Sequence, residues 1–337
     1  MRRSQKPIVI ASRRSPLARV QAEMVARGLS RLHPQLEVQF VWIESEGDQV
    51  TTGPLSAVGG KGLFTKAVER AVLSGKADLA VHSMKDMPAD EETPGLQIAA
   101  VPKRTDVRDV LVARSGAQSL TSLPHGATLG TSSPRRAAQL LRARPDLVIE
   151  LLRGNVGTRV QRTTQGPGPD ATLLAAAGLR RLAMTRWLGG ALDVATMLPP
   201  AGQGALGIQC RRDDHISLTR CLPLNDATTS TAVHAERGLV AALGADCHSP
   251  IAVLAEQVDP AKTQAKRNSD SHRFRLRARV LASDGSRLLE VDDTCKTRDL
   301  RRLVASAVKD LSDRGAAELL EDCRGLPLGR ASASKAS

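Results

Sequence analysis

The sequence predicts an α/β protein in which two similar lobes enclose a cleft, followed by a small α+β domain. Apolar strand runs alternate with amphipathic helices up to about residue 222, a pattern typical of α/β folds. One motif, a strand followed by a hydroxyl-rich loop, Ser-Pro and a helix, occurs at residues 8–17 and is repeated at 129–136. We therefore assign residues 1–104 and 204–222 to the first lobe, 105–203 to the second and 223–337 to the C-terminal domain, with a disordered tail from about residue 330.

The first lobe opens with a buried strand over residues 8–11 and a helix that has Ser15 as its N-cap and Pro16 as its first residue. The predicted buried face of this helix consists of Leu17, Val20, Met24 and Val25. An alternating strand over residues 36–42 follows, and then a helix opened by glycines at 59–62. Arg13 at the first helix and the glycines at the second favour anion binding at both helix N-termini.

The stretch with the clearest chemistry lies at residues 77–88. Residues 79–81 predict a short buried strand, and Met87-Pro88 ends it, so residues 82–86 fall on its exit loop. Open α/β sheets bind ligands at such strand exits. Since this loop offers one carboxylate, Asp86, beside one cation, Lys85, Asp86 is the candidate catalytic group. The alternative is an ordinary solvent-exposed ion pair between the two.

The second lobe repeats this plan after a charged hinge over residues 103–109 and a strand at 110–112. A hydroxyl-rich loop precedes a helix with Arg135 and Arg136 in its first turn. Arginines there oppose the helix dipole, which favours an anion contact over a purely structural role. The strands at 147–152 and after residue 170 are also followed by arginines. The sequence therefore predicts that both lobes present basic helix N-termini and strand exits to a shared cleft.

The remaining chain predicts a return to the first lobe and a separate domain. Residues 198–204 form a turn-rich crossing, and residues 205–210 resemble a strand that returns to the first lobe. Beyond residue 225 we expect a helix, a loop carrying Cys247, a strand, an antiparallel pair joined at residues 283–285 and a closing helix. The polar segment 257–271 is predicted to be a flexible insertion.

Composition narrows the classes of partner. With 48 Lys and Arg against 35 Asp and Glu, the net charge of +13 favours an anionic partner. No tyrosine, two tryptophans and three phenylalanines leave few rings for the stacking platforms of single-stranded nucleic-acid binders. The N-terminal apolar run is too short for a signal-peptide core, and no segment approaches the length of a membrane span. Five widely spaced cysteines predict a reducing cytoplasm, with neither a disulfide framework nor a metal site.

Together these stretches resemble the porphobilinogen deaminases, also called hydroxymethylbilane synthases. The matching segments are residues 10–18, 59–64, 82–88, 130–136, 152–159, 177–182, 202–206 and the loop at Cys247. The resemblance implies two periplasmic-binding-protein-like lobes around a cleft. It also implies a transferase that condenses four porphobilinogen molecules head to tail, releases ammonia, and then frees the linear tetrapyrrole hydroxymethylbilane by hydrolysis. The chain departs from the family pattern at Asp246, where glycine is frequent, at Gln209, where glutamate is common, and at Ala57, where lysine is frequent.

The resemblance also implies roles for individual residues. A dipyrromethane cofactor, made from substrate, would be attached through a thioether to Cys247, and Asp86 would do the chemistry at the pyrrole N–H groups. The positions expected to bind substrate and cofactor are Arg13, Ser15, Lys61, Ser83, Lys85, Thr131, Ser132, Ser133, Arg135, Arg136, Arg153, Gly154, Asn155, Arg159, Arg181 and Gln203. Each porphobilinogen carries two carboxylates, and arginine suits them because it stays ionised and pairs with them bidentately.

The expected setting is a cytoplasmic monomer that binds neither nucleic acid nor membrane and passes its product to uroporphyrinogen-III synthase. Two other interpretations stay open. A two-lobed organic-anion binding protein without catalysis shares paired lobes and a basic cleft, but it predicts an export signal. A nucleic-acid binder accounts for the net charge, but its arginines would lie in a tail or along a helical stripe rather than at strand exits.

Overall fold

The protein is described by a computed structural model that covers residues 6–44, 62, 65–90, 93–246, 248–258 and 273–323. Its strands are β1 Ile8–Arg13, β2 Val38–Ile43, β3 Leu79–Ser83, β4 Leu96–Ala100, β5 Asp109–Ala113, β6 Thr128–Gly130, β7 Val148–Glu150, β8 Ala171–Ala175, β9 Leu206–Arg211, β10 Ile251–Val258, β11 Arg273–Leu281 and β12 Leu288–Lys296. Its helices are α1 Pro16–Leu32, α2 Lys66–Leu73, α3 Pro134–Ala143, α4 Val156–Thr164, α5 Ala176–Arg181, α6 His215–Cys221, α7 Ala227–Ala242, α8 Leu300–Asp313 and α9 Ala316–Asp322. None of the helices within these ranges is long and apolar enough to cross a lipid bilayer.

The first sheet has the strand order β2-β1-β3-β9-β4. Strand β1 runs parallel to β2 and β3, whereas β9 runs antiparallel to both of its neighbours, β3 and β4. Residues 206–211, in the segment predicted to return to the first lobe, thus form a strand of the first sheet. The returning strand lies inside the sheet rather than at its edge, so it is buried, and its pairing sets the position of β3.

The second sheet repeats the relations of the first. Its order is β5-β8-β6-β7, with β6 parallel to β7 and β8 and with β5 antiparallel to β8. Strands β6, β7, β8 and β5 thus correspond to β1, β2, β3 and β9. In each sheet the antiparallel strand is the one that has just crossed from the other, as two similar lobes require. The predicted α/β fold class is confirmed by this repeat.

The C-terminal part forms the predicted small α+β unit. Strands β10, β11 and β12 make an antiparallel sheet. One face of the sheet packs against α7, α8 and α9 around a core that includes Leu239, Leu276 and Leu311. Alternating apolar residues of β11 supply this face, because successive side chains of a strand point to opposite sides.

Three local predictions were wrong. Met24 is 39% exposed, since α1 packs through the small side chains Ala18, Ala22 and Ala26, together with Val25 and Leu29. The strand expected over residues 147–152 contains only Val148–Glu150, at the edge of the second sheet. His82 and Ser83 belong to β3 rather than to its exit loop. The predicted glycine opening at 59–61, most of the 257–271 insertion and the tail from residue 330 lie outside the described residues.

Candidate active site

Asp86 lies on a short, firmly anchored turn. Residues 84–86 form one 3-10 turn directly after β3. Its first residue, Met84, and the residue after it, Met87, are 1% and 8% exposed. The backbone of Met84 donates to Ala205 O at 3.1 Å. Gly202 has a φ of +72°, and a Cβ there would lie 2.7 Å from the Met84 side chain, so only glycine allows this close approach. Asp86 itself is exposed, which places a carboxylate in solvent on a fixed support.

A cavity of about 70 Å³ opens beside this turn. Asp86 and Lys85 line it from one side, and Arg237, Asp246 and Ile251 line it from the C-terminal unit. Asp246 is the residue before Cys247, whose own placement, like that of Lys61, lies outside the described residues. The turn that carries Asp86 and the start of the loop that carries Cys247 therefore face the same space.

Lys85 does not form the simple ion pair that was the alternative for this loop. Its ammonium donates to Gln203 Oε1 at 3.1 Å, and a Lys85–Asp86 ion pair is absent from the described part of the chain. Burial lowers the pKa of Lys85 to about 8, and the charge of Arg136 acts in the same direction. Lys85 is thus a cation held beside Asp86 by a neutral acceptor.

A carboxylate that the sequence did not single out, Asp109, lies at the centre of the arginine cluster. It accepts from Arg135 Nη2 at 2.6 Å and from Arg136 Nη2 at 2.7 Å. Arg136 Nε and Gln203 Nε2 complete its hydrogen bonds at 3.2 and 3.0 Å. Burial would raise the pKa of Asp109, but the charges of Arg136 and Arg135 outweigh it and hold that pKa well below the usual range. Arg135 and Arg136 were expected to face an open cleft, yet both are buried against this one counter-ion.

Three further arginines follow the strands of the second sheet. Arg153 is 8% exposed, and none of its three guanidinium nitrogens has an acceptor among the residues that the structure describes. Arg159 donates to Gly154 O at 2.7 Å, and Arg181 donates to Gly204 O at 2.8 Å. Burial lowers the pKa of Arg159 and of Arg181 to about 10, and Arg136 and Arg153 add to the effect at Arg159. These cations concentrate positive charge in a poorly solvated region.

The hydroxyl and amide residues predicted at the site mainly shape the helix starts. Ser15, Ser133 and Asn155 are the N-caps of α1, α3 and α4. Thr131 is buried and accepts from the backbone of Ser133, and Ser132 is partly buried beside it. Gly154 has a φ of +117°, which turns the chain between Arg153 and α4. Arg13 lies partly buried at the end of β1, and Ser83 accepts from Gln21 at 2.8 Å.

A buried polar chain behind Asp86 also escaped the sequence reading. His82 Nε2 lies 3.0 Å from Gln209 Oε1, and Gln209 Nε2 donates to Glu69 Oε1 at 3.1 Å. Because a carboxylate can only accept, the amide of Gln209 must turn its oxygen towards His82, and Nε2 of His82 carries the proton. Burial lowers the pKa of His82 to about 4, against the raising effects of Gln209 and Asp86. His82 is therefore a neutral group beneath the turn that carries Asp86.

Comparison with known proteins decides the family. A family model described as porphobilinogen deaminase, dipyromethane cofactor binding domain, matches residues 8–219. The chain belongs to the porphobilinogen deaminase family. The porphobilinogen deaminases of two strains of Acidithiobacillus ferrooxidans are each 42% identical over 315 residues, covering 94% of this chain and 97% of theirs. The predicted resemblance is thereby confirmed.

Solved structures resemble this chain only distantly. They include the periplasmic aliphatic sulphonate binding protein SsuA of Escherichia coli, at 16% identity and a TM-score of 0.36, covering 70% of this chain and 74% of that one. They also include the sulfate-bound OxyR2 regulatory domain of Vibrio vulnificus, at 13% identity and a TM-score of 0.38, covering 66% and 99%. Both TM-scores are below 0.5, and nothing about this chain's function follows from them.

The residues present fit the cofactor of the porphobilinogen deaminases. A dipyrromethane with acetate and propionate side chains carries several carboxylates, which need cationic donors in a poorly solvated cleft. Arg153 has three buried nitrogens available for such groups. Arg135 and Arg136 share one carboxylate, Asp109, which leaves the pair with one excess positive charge. The orphaned donors and the excess charge together match an acidic group that binds in the cleft.

Proposed function

We propose that this chain condenses porphobilinogen into hydroxymethylbilane, as its family does, with Asp86 as the catalytic carboxylate. One observation carries the proposal. An exposed carboxylate on an anchored turn and the residue before Cys247 line the same cavity. A group tethered at Cys247 could therefore reach Asp86. The unsatisfied donors of Arg153 supply binding capacity for the carboxylates of such a group.

The dipyrromethane, held through Cys247, would supply the free pyrrole carbon to which the first porphobilinogen ring is joined. Arg135, Arg136, Arg153 and Arg159 would hold its acidic side chains. Asp86 accepts hydrogen bonds from pyrrole N–H groups and stabilises the positive charge that develops on them when ammonia leaves. A preorganised charge of this kind would contribute roughly 3 to 4 kcal/mol once the bound pyrroles exclude water from the otherwise exposed Asp86 carboxylate. Lys85, fixed by Gln203, completes a cationic site for a substrate carboxylate.

Intact mass of the purified protein tests the cofactor proposal. We expect a mass above that of the sequence by one dipyrromethane, and a mass equal to the sequence in Cys247→Ala. Cys295→Ala is the matched control, since Cys295 lies on the C-terminal sheet away from the cavity, and it should keep the added mass. A wild-type mass equal to the sequence mass would contradict the attachment and favour the binding-protein alternative.

Turnover of porphobilinogen tests the role of Asp86. Asp86→Asn keeps the shape of the side chain but loses its charge, and we expect turnover to fall by about 10²–10³-fold, as for loss of one preorganised electrostatic group. Asp213→Asn changes an exposed carboxylate outside the cavity and should leave turnover unchanged. An Asp86→Asn protein with wild-type turnover would remove the proposed role.

We further propose where the protein works, its oligomeric state, the enzyme that receives its product and its domain boundaries. The protein works as a cytoplasmic monomer and passes hydroxymethylbilane to uroporphyrinogen-III synthase. It divides into domains at residues 1–104 with 204–222, at 105–203 and at 223–337. The crossing of the chain between the two sheets at residues 101–108 and 198–205 supports this division. Light scattering during gel filtration tests the monomer, and a dimer mass would contradict it.

A further inference from the structure

A buried chain of hydrogen bonds crosses between the two sheets beneath the proposed site. Gln203 is fully buried, and its Nε2 donates to Val107 O at 2.7 Å and to Asp109 Oδ1 at 3.0 Å. Its Oε1 accepts from Lys85 at 3.1 Å. Since Val107 O can only accept, the orientation of the Gln203 amide is fixed. Gln203 thus links the lysine beside Asp86 to the counter-ion of the arginine pair.

At the other end of this link, several hydrogen-bond donors share the two carboxylate oxygens of Asp109. Its two oxygens hold both Arg135 and Arg136, and all three side chains are at most 8% exposed. A substrate carboxylate that binds Arg136 has to share that guanidinium with Asp109. Asp109 then relies more on the N–H of Gln203, and a more polarised amide is a stronger acceptor for Lys85, because linked hydrogen bonds reinforce one another in a buried site.

We infer that Asp109 and Gln203 are positioning residues, which transmit the binding of a substrate carboxylate at the arginine pair to the ammonium of Lys85 beside Asp86. This inference rests on the proposed function of the site. Neither residue touches substrate in this scheme, since each is fully buried. The charged groups that face Lys85 are Asp86 on its own turn, Asp109 on β5, and Arg135 and Arg136 on α3. Arg237 and Asp246 line the same cavity from the C-terminal unit.

The test measures the titration of Lys85 itself. The rate at which acetic anhydride acetylates Lys85 is followed against pH by peptide mass spectrometry, and the wild-type midpoint is expected at about 8. Asp109→Asn removes a nearby negative charge, and Gln203→Met removes the acceptor, so both should move the midpoint to lower pH. Asp106→Asn is the matched control, because Asp106 lies on the same hinge and pairs with Arg108 and Arg180; it should leave the midpoint in place.

A second arm adds a ligand that cannot condense. The probe is the pyrrole that carries the acetate and propionate groups but lacks the aminomethyl group. It should raise the Lys85 midpoint more in the wild type than in Gln203→Met, where only the direct effect of its carboxylates on Lys85 remains. An equal rise in both proteins would overturn the role of Gln203, and identical titrations of all variants without the probe would overturn the whole link.

Two further readouts separate this inference from folding and from the function itself. Asp109→Asn leaves two buried arginines without a counter-ion and can fail to fold, whereas Gln203→Met keeps their ion pairs and alone decides the question. If the link fails while the wild type still carries its added dipyrromethane mass, the proposed function stands. If that mass is missing, the proposed function fails independently of Lys85.

Discussion

Acid should destabilise this protein through His82, which lies neutral and 5% exposed beneath the Asp86 turn. Its pKa falls from 6.5 to about 4 on folding. Between these two values the unfolded chain binds a proton that the folded chain does not, so stability is lost as the pH falls through this window. One pKa unit corresponds to about 1.36 kcal/mol, so the full effect is roughly 3 kcal/mol, of which about 2 kcal/mol should appear between pH 7 and pH 5.

Urea unfolding at several pH values measures this effect. Other groups also titrate in this range, so the decisive quantity is the drop in unfolding free energy between pH 7 and pH 5, compared between the wild type and His82→Asn. In the variant this drop should be smaller by about 2 kcal/mol. His234→Gln is the control, because His234 is exposed on α7 and should retain the wild-type pH dependence. Equal losses in the wild type and in His82→Asn would refute the reasoning.

Three other predictions follow from single side chains. Arg237 donates to Met87 O and Pro88 O at 2.9 and 2.7 Å. Arg237→Met should therefore loosen the Asp86 turn and lower turnover by at least about tenfold; steady-state assays with intact mass as the loading check measure this, and unchanged turnover would contradict it. Arg153→Met in a cofactor-free Cys247→Ala background should raise the unfolding free energy by about 1–4 kcal/mol, because it removes a buried charge that has no acceptor among the described residues. A less stable variant in urea would oppose this. Glu236 is fully buried and accepts two hydrogen bonds from Arg104, of 2.7 and 2.9 Å. Glu236→Gln should therefore lower the unfolding free energy, measured in urea, by about 3–5 kcal/mol. A decrease below about 1 kcal/mol, as expected for a surface pair, would contradict this prediction.

Local patterns in the sequence were sufficient to predict which strands and helix starts carry the candidate site residues. The run before His82 and the Ser-Pro starts of α1 and α3 depend on neighbouring residues only, and they placed Asp86, Arg135 and Arg136 near the right elements. The repeated motif also predicted the two similar sheets. Met24 shows the limit of this approach, because an apolar residue on a helix can face solvent when alanines form the close contact with the sheet.

Partners that are distant along the chain could not be predicted. Asp109 looked like a charge at a strand boundary, and nothing near it in sequence identifies Arg135 and Arg136 as its partners. Arg104 and Glu236 are 132 residues apart, so neither periodicity nor spacing connects them. The same holds for His82 and Gln209, diagonal neighbours that meet at 3.0 Å only because β9 pairs with β3. Long-range pairing of strands creates these contacts, and a single sequence carries no local record of it.

The position of β9 within the first sheet determines the order in which the two sheets can form when the chain folds during translation. Strand β4 pairs only with β9 in that sheet, and β9 ends at Arg211. A nascent chain therefore has the whole second sheet outside the ribosome before the first sheet can close. Until then the edges of β3 and β4 are open to wrong partners, and this stage of folding is the one most exposed to mispairing of strands.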